Sequence, residues 1–469
     1  MSILSKIKEL ASSLLKSKAK DEFNIEVISS AETEAWVEEC INTYMGNPCW
    51  IDEEEHIDSV NFAKAICSET ARLATLAIGI TVDGSSKAKW LQEQVDKIYF
   101  QLRHWVEYGC AYGTIILKPN GESIDLYTAD QFMVTHISNG KIDGVIFPSF
   151  ETYQNKWYTR LEYHRFENGL YVISNKCYVG NSPGDTKERV DIELTPWAEL
   201  LEEAAVEKLD APLFAVFRTP HANNIDLHSP LGLPVFSEAI QELRDLDIAY
   251  SRNAKEILDS KRTVLADDSM IAFSGEKVPQ GALAAQKKAA AMNLPEMVRM
   301  VRGDGRETYY QEINPELNTD TRLKGINALL SQIGYKVGYS NGYFVFNEKN
   351  GIQTATGVEA EQQRTIQFIK DVRDKLESCM NELIYAMSVF ADLYDLAPAG
   401  TYEVTYDFAD ITYSFEEDRQ HHYQLAMQGH FPWEEYYVRF LRYSREEAKA
   451  LLKMAKEENK APTLFGGDE

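Results

Sequence analysis

A long stretch of helical hydrophobic spacing constrains the fold of this chain more than any other feature. No proline interrupts it before Pro398. Its apolar residues recur at helical intervals: Val358, Ile366, Ile369, Val372, Leu376, Met380, Leu383, Ile384, Met387 and Phe390. A helix from Thr356 to Leu393 would be about 55 Å long. By itself it predicts the core helix of a large α/β or all-α domain, because few helices of small domains are so long.

A polar loop leads into this helix. Phe346 to Glu361 begins rich in Asn and Gly, and Asn350-Gly351 is a turn signal because glycine tolerates positive φ. Thr356 is the predicted N-cap. Glu359 stands three residues later and can reach back to the backbone N–H of Thr356, which would complete a capping box.

Composition sets broad limits on the class of protein. The 469 residues are 44% hydrophobic and 26% charged, which suits a folded protein of two or three domains. The formal charge of −25 argues against a simple adhesive DNA-binding surface, which would need a basic patch. It is compatible with a protein that nucleic acid passes without sticking.

Cysteine spacing and hydropathy narrow the setting further. The six cysteines are scattered without a CxxC pair, so free thiols are expected rather than zinc or disulfides. No apolar run is long enough to cross a bilayer. Met1 to Lys20 is Lys-rich and amphipathic, which predicts a surface helix or a flexible arm, with a membrane-surface anchor as the lesser alternative.

The order of predicted elements is mixed helix and sheet, so the expected fold class is α+β. Helices are predicted for Glu32–Cys49, His56–Ile80, Lys87–Tyr108, Pro234–Ser260, Thr319–Val337, Glu416–Met427, Trp433–Leu441 and Ser444–Glu458. Strands are predicted for 111–118, 124–127, 132–137, 145–150, 157–166, 169–179, 262–266 and 401–411. Most of them form an antiparallel meander. One face of Pro234–Ser260 carries dense charge, which favours either a solvated face or a contact between identical subunits.

Catalytic and metal signatures are missing from the sequence. It has no Walker loop, no GxGxxG after a strand and no HExxH. It has no GxSxG elbow either, because neither of its two GxSxG matches, Gly180–Gly184 and Gly338–Gly342, stands between a predicted strand and a predicted helix. His421, His422 and His430 lie close together in sequence, but chance placement on acidic helices explains them better than a metal site. We therefore expect no catalytic residues, no metal and no cofactor.

Several stretches, taken in order, resemble the portal proteins of tailed bacteriophages, in particular those of long-tailed phages and prophages of Gram-positive bacteria. Tyr108–Pro119 followed by Thr128–Phe132 is similar to the wing sheet of that family. Leu246–Arg252 and Lys261–Leu265 are similar to the end of its stem helix and the entry to its clip. Phe346–Glu361, with Thr354-Ala-Thr-Gly-Val358, resembles the tunnel loop that enters the tunnel helix.

The resemblance implies a portal fold that assembles into a ring, usually of twelve subunits. Its divisions would be an N-terminal arm (1–25), a wing of helices and β-meander (26–230), a stem helix (231–260), a clip (261–318), a stem return helix (319–339), a tunnel loop (340–355), a long tunnel helix with a wing strand (356–410), and a crown with a C-terminal tail (411–469). The clip would be a small α/β unit and the crown would be helical.

The resemblance also implies partners and a place in the virion. The ring would sit at one capsid vertex, after assembly in the bacterial cytoplasm, among major capsid and scaffolding proteins. Double-stranded DNA would pass through it without sequence preference, driven by the terminase large subunit, and a head-tail adaptor would replace terminase. The portal itself would not hydrolyse ATP and would not bind a membrane.

Carried over by position, two sets of residues would meet DNA or partners. Asn347, Glu348, Lys349 and Asn350 would face DNA from the tunnel loop. Lys287, Lys288, Arg299, Arg302 and Arg306 would contact DNA phosphates or an acidic partner from the clip. The apolar start of the loop, Tyr343 to Phe346, would pack against neighbouring subunits. For both charged sets, solvated surface is the alternative.

Two other function classes stay open on the sequence alone. One is a scaffold or adaptor that binds protein partners through the Thr356–Leu393 helix. The other is a carboxylate-dependent hydrolase, for example one acting on glycans, which only the abundance of acidic and aromatic residues favours.

Overall fold

The structure is a computed structural model that describes residues 15–28, 30–121, 123–260, 263–267, 298–301, 310–313, 317–345, 355–408, 415–441, 443 and 445–458. For 263–267, 298–301, 310–313 and 355–361, among others, it describes the backbone alone. Helices and sheets alternate irregularly along the chain, and the fold class is α+β as predicted.

Helices dominate the N-terminal part of the body. They are α1 (residues 15–23), α2 (Ala31–Tyr44), α3 (Phe62–Ala74), α4 (Ser86–Ile98) and α5 (Leu102–Tyr112). Ser30 begins α2 by accepting a hydrogen bond from the Thr33 N–H at 3.3 Å. At the end of α5, Gly113 has φ +75° and its backbone lies against Gly232, so a side chain there would clash with the Gly232 carbonyl. Glycine therefore permits the sharp reversal into the first sheet.

Two antiparallel sheets follow. One has the strand order β10-β2-β3, and the other has β4-β5-β6-β7-β8 with β9 also paired to β7. Their bounds are β2 (Thr114–Asn120), β3 (Ser123–Thr128), β4 (Met133–Ser138), β5 (Lys141–Tyr153), β6 (Lys156–Glu167), β7 (Leu170–Gly180), β8 (Glu188–Val190), β9 (Glu203–Glu207) and β10 (Ala215–Arg218). The predicted antiparallel meander is thus confirmed in two parts, β2–β3 and β4–β7, since β3 and β4 belong to different sheets.

The two sheets face each other across an apolar layer. Ile116 of the smaller sheet, Phe147 of the larger one and Phe214 between them are all buried there. The opposite face of the larger sheet is covered by α1, whose Leu15 and Ala19 are buried. The middle parts of the long central strands are therefore shielded from water on both faces.

A helical hairpin leaves this body. The helix α6 (Ile240–Asp259) follows a 3-10 turn at Ser237–Ala239, and α7 (Thr319–Val337) returns beside it. Three short strands lie between them in sequence: β11 (Thr263–Asp267), β12 (Val298–Val301) and β13 (Tyr310–Ile313). They form one sheet, in which β11 pairs parallel with β12 and antiparallel with β13.

The longest helix, α8 (Ala355–Leu393), contains 39 residues and is about 58 Å long. Its buried side includes Ile369, Val372, Leu376 and Met380, which join the main core with α3, α4 and α5. The guanidinium of Arg373 is buried and donates to the carbonyls of Leu73 and Ala74, at 3.0 and 3.2 Å. It thereby satisfies carbonyls at the C-terminus of α3 that have no partner within that helix.

A two-stranded sheet and a helical tail complete the fold. The strand β1 (Gly79–Gly84) pairs antiparallel with β14 (Tyr402–Asp407). The tail consists of α9 (Phe415–Met427), α10 (Trp433–Leu441) and α11 (Arg445–Glu458). Its helices pack on one another partly through aromatic rings such as Tyr423 of α9 and Trp433 of α10, whose centroids are 5.6 Å apart.

Several sequence expectations need correction. The helix predicted for Lys87–Tyr108 is divided into α4 and α5 by a 3-10 turn at Tyr99–Gln101, and α5 extends to Tyr112, so the strand predicted from residue 111 begins at Thr114. The helix predicted for His56–Ile80 spans only Phe62–Ala74, and the residues after it form β1. The helix predicted from Pro234 begins at Ile240. The strands β9 and β10 were not predicted, because both are short and owe their conformation to pairing with distant strands.

Candidate functional site

Most of the predicted contact residues lie outside the described part of the chain. This holds for Asn347, Glu348, Lys349 and Asn350 of the loop, and for Lys287, Lys288, Arg302 and Arg306 of the insert. Arg299 lies in β12, where only the backbone is described. Their proposed contacts with DNA or partners stay predictions.

The predicted helix cap lies one residue inside the observed helix. Because α8 begins at Ala355, Thr356 belongs to its first turn rather than preceding it. The side chains of Thr356 and Glu359 are not described. The capping box itself therefore stays a prediction.

The root of the loop is held by a reciprocal pair of hydrogen bonds. The Ser340 N–H donates to the Thr365 hydroxyl at 2.8 Å, and the Thr365 N–H donates to the Ser340 hydroxyl at 3.2 Å. Both residues are buried. Ser340 precedes the loop and Thr365 follows it on α8, so these bonds fasten the two arms of the loop to each other.

Aromatic packing also holds the segment that precedes the loop in place. Tyr339 is fully buried, and its hydroxyl lies 2.7 Å from that of Thr70 on α3. The ring of Phe344 lies 4.8 Å from Tyr339 and 5.2 Å from Phe62. The apolar start of the loop thus packs on the core of its own chain, contrary to the expectation that it serves a neighbouring subunit.

An ion pair below these rings adds a polar anchor. The hydroxyl of Tyr343 donates to Glu69, which also receives two hydrogen bonds from Arg72, at 2.7 and 2.8 Å. The Arg72 guanidinium holds the pKa of Glu69 below its usual range, although partial burial opposes this shift. The carboxylate therefore stays charged at neutral pH and can keep accepting the Tyr343 hydroxyl.

Polar contacts set the register of the hairpin. Near its base, the carboxylate of Glu242 on α6 accepts from Lys336 and Gln332 of α7, at 2.7 and 3.1 Å. Near its tip, Arg322 of α7 pairs with Glu256 of α6. Because the later residue on α6 pairs with the earlier residue on α7, the two helices are antiparallel.

A second set of polar contacts ties α6 to the body. Both oxygens of Asp247 accept hydrogen bonds, one from the Trp50 indole at 2.9 Å and one from the Val60 N–H at 2.8 Å. Burial raises the pKa of Asp247, and these hydrogen bonds oppose the shift. Glu242 and Asp247 were predicted to lie on a solvated or intersubunit face, and both are instead buried within the chain.

The distal half of the hairpin extends beyond the core. Between Ser251 and Ile326, no residue with a described side chain is buried. Large apolar side chains in this stretch are exposed: Ile257 at 52%, Leu258 at 65% and Leu317 at 49%. A projecting hairpin with exposed apolar residues is suited to contact with another protein.

A buried polar cluster links the two sheets. Glu162 of β6 accepts from Lys118 of β2 at 2.5 Å, from Arg160 at 2.9 Å and from the His164 ring at 2.8 Å. The other ring nitrogen of His164 lies 2.8 Å from the Tyr171 hydroxyl. That hydroxyl in turn accepts from the Leu213 N–H at 3.0 Å.

The directions in which the pKa values of Glu162 and His164 are shifted define the protonation state of this cluster. Burial raises the pKa of Glu162, but Lys118, His164 and Arg160 together bring it well below its usual range. Burial lowers the pKa of His164, so its ring is neutral at pH 7, with Nε2 donating to Glu162 and Nδ1 accepting from Tyr171. Since every member of the cluster is at most 8% exposed, its role is to join the sheets rather than to act on a substrate.

No three His, Cys, Asp or Glu side chains in the described part of the chain come together as metal ligands. The ring of His422 instead packs on Phe431 and Phe440, with centroids 4.9 and 5.2 Å away. None of the described helices is both long and apolar enough to cross a membrane.

A scan against models of protein families gives no match for this chain, and a search of curated proteins gives none either. The candidate site therefore rests on geometry. Its central residues are Ser340 and Thr365 at the loop root, and Glu242 and Lys336 in the hairpin. Their roles could not be predicted from the sequence, because each contact joins residues that are far apart in the chain. The sequence shows that Glu242 is charged, but it does not show that Lys336, 94 residues later, is its partner.

Proposed function

We propose that this chain is the portal protein of a tailed bacteriophage. Twelve or so copies would form a ring at one vertex of the capsid, through which double-stranded DNA enters during packaging and leaves during ejection. The proposal combines the ordered sequence resemblance with the geometry of the hairpin and the loop root.

One observation carries most of the weight. The α6–α7 hairpin projects beyond the core and encloses a small sheet in sequence, and it exposes apolar side chains such as Leu258 at 65%. Such side chains lose their unfavourable contact with water when a neighbouring copy covers them. Head-to-tail contacts of this kind close into a ring when the rotation between copies divides a full turn.

The loop root provides a second support. A segment that faces moving DNA needs rigid attachment, because otherwise contact with the DNA would displace it. The Ser340–Thr365 bonds and the buried Tyr339 hold both arms of the 346–354 segment on the main core. The attachment would let Asn347 to Asn350 meet DNA while their flanks stay in place.

Charge would suit such a channel. Each copy carries −25, so the ring would repel the phosphates of DNA over most of its surface. DNA could then slide without tight binding. The work of packaging would come from the terminase large subunit at the clip, and a head-tail adaptor would later occupy the same end.

The adaptor alternative gains less support. It requires the α8 helix to offer its apolar face to a partner. Ile369, Val372 and Leu376 on that face are already buried in the core of the chain. A hydrolase is also less favoured, because the buried cluster of acid and base groups around Glu162 is sealed between two sheets.

Particle mass is the first test of this proposal. The chain has a mass of 53.4 kDa, so a ring of twelve copies would weigh about 640 kDa. Mass photometry of the purified protein, alone and with its scaffolding protein, should show this species or one larger by a single subunit. A monomer under both conditions would contradict the proposal.

A further inference from the structure

The two edges of the β1–β14 sheet differ in whether their backbone groups are hydrogen-bonded. Along the edge of β1 that faces away from β14, the side chain of Gln92 makes hydrogen bonds that a further strand would otherwise make. The Val82 N–H donates to Gln92 Oε1 at 2.7 Å, and Gln92 Nε2 donates to the Ile80 carbonyl at 3.2 Å. This edge is therefore closed to pairing with another chain.

The hydrogen-bond pattern shows which groups lie on the other edge. Since Ile80 and Val82 direct their backbone groups towards Gln92, their partners Tyr406 and Val404 are in non-hydrogen-bonded pairs. The N–H and C=O of Val404 and Tyr406 consequently point away from β1, and by the same alternation so do those of Tyr402. Across the described residues, none of these backbone groups has a hydrogen-bond partner.

This outer edge belongs to a regular strand that is held in place. The six pairs from Gly79–Asp407 to Gly84–Tyr402 run without a bulge. Tyr402, Val404 and Tyr406 pack their side chains against the main core, and the Tyr406 hydroxyl donates to Asn381 of α8 at 2.9 Å. The edge is thus a preformed template for one more strand.

The exposed face beside this edge is acidic. Glu403 of β14 stands directly opposite Asp83 of β1, and both side chains are exposed. Like charges in directly opposite positions destabilise a sheet. Neither carboxylate has a basic partner within the described part of the chain. A lysine or arginine next to Glu403 on an added strand would compensate this repulsion.

We propose that the outer edge of β14 binds an extended basic segment of a protein partner, which adds a third strand to the sheet. Its backbone would pair with Tyr402, Val404 and Tyr406, and its alternate Lys or Arg side chains would lie beside Glu403. Pairing of two β14 edges from two copies is disfavoured, because it would bring two acidic rows together. The inference does not depend on the ring.

A peptide supplies the first test. The probe is a fluorescein-labelled Lys-Val-Lys-Val-Lys-Thr peptide, titrated against the full chain by fluorescence anisotropy. Saturable binding is expected, and Glu403→Lys should weaken it about tenfold. Glu193→Lys makes the same charge change at an exposed position in the 3-10 turn Ile192–Leu194. It should leave the affinity within about twofold.

A matched peptide separates strand addition from simple charge attraction. N-methylation of alternate residues keeps all side chains and charges but removes the N–H groups that would pair with β14. This peptide should bind at least about tenfold more weakly. Equal binding of the two peptides would overturn the proposal, and so would the absence of saturable binding by the unmodified one.

Hydrogen exchange locates the added strand by its alternation. In the free chain the amides of Glu403 and Thr405 should be protected by pairing with β1, and those of Val404 and Tyr406 should exchange. The unmodified peptide should protect Val404 and Tyr406 selectively. Protection of these amides without peptide, increasing with protein concentration, would instead assign the edge to a second copy and contradict a basic partner.

Discussion

The Ser340 N–H and the Thr365 hydroxyl are joined by a buried hydrogen bond of 2.8 Å that fastens the start of a loop to the helix that follows it. A second hydrogen bond runs in the opposite direction, from the Thr365 N–H to the Ser340 hydroxyl. The pair sets the geometry of both arms of the loop, although neither residue belongs to its tip.

Replacing Thr365 by Val should therefore loosen the loop root. The substitution leaves the buried Ser340 N–H without an acceptor, which costs about 1–3 kcal/mol in the free energy of unfolding. Urea unfolding followed by circular dichroism measures the loss. Thr405→Val makes the same chemical change at an exposed position on β14 and should change the free energy by less than about 0.5 kcal/mol. Equal effects of the two variants would refute the role of the pair.

The loop tip has a separate prediction. Deleting Asn347 to Asn350 should leave ring assembly intact, because the arms are attached through Tyr339, Ser340 and Thr365. DNA packaging or retention in assembled particles should fall. Packaged genome length and DNA loss from heads measure this outcome. Normal packaging and retention would show that this loop does not meet DNA.

The Glu162 cluster predicts a dependence of stability on pH. The folded pKa of His164 lies below its unfolded value of about 6.5, so its contribution is complete above that pH and is lost as pH falls towards the folded pKa. The folded pKa of Glu162 also lies below its unfolded value of about 4.3, so a second loss follows in more acidic solution. Because of both groups, the free energy of unfolding decreases as the solution becomes acidic.

His164→Gln should reveal the first of these losses. The variant should be less stable at pH 7 by about 1–3 kcal/mol, because Tyr171 loses its acceptor. Its free energy of unfolding should nevertheless fall less steeply between pH 7 and pH 5 than that of the wild type. His104→Gln, at an exposed position of α5, should retain the wild-type slope. If His164→Gln also retained that slope, the ring would not be buried in its neutral form.

Helices were predictable where one sequence period decides the structure. The bounds of α7 and α10 agree with the predictions, and α8 differs by one residue at its start. Their apolar residues recur at helical spacing, and turn residues or prolines flank them. Local sequence contains all of this information.

Contacts across the chain were not predictable in the same way. The strand β1 pairs with β14, more than 300 residues later, and its first two residues fall within the helix predicted for His56–Ile80. The charged face of α6 gave no sign that Glu242 and Asp247 would be buried, because their partners are Lys336 on α7 and Trp50 in a loop. Sequence alone identifies the charge but not the tertiary partner that makes its burial tolerable.

The exposed apolar residues of the hairpin lead to the test of subunit contact. Leu258 is 65% exposed on the distal half of α6, where its chain has no core to cover it. If a neighbouring copy covers it, Leu258→Asp places a charge in an apolar interface and removes about 1.5–3 kcal/mol of apolar burial at each contact. The ring species at a given protein concentration should decrease more than about tenfold.

Leu227→Asp makes the same change at a side chain that is 85% exposed outside the hairpin, and it should preserve the ring. Mass photometry of both variants, with circular dichroism to establish that each is folded, distinguishes the outcomes. Rings of normal abundance from a folded Leu258→Asp chain would exclude the distal hairpin from the subunit interface.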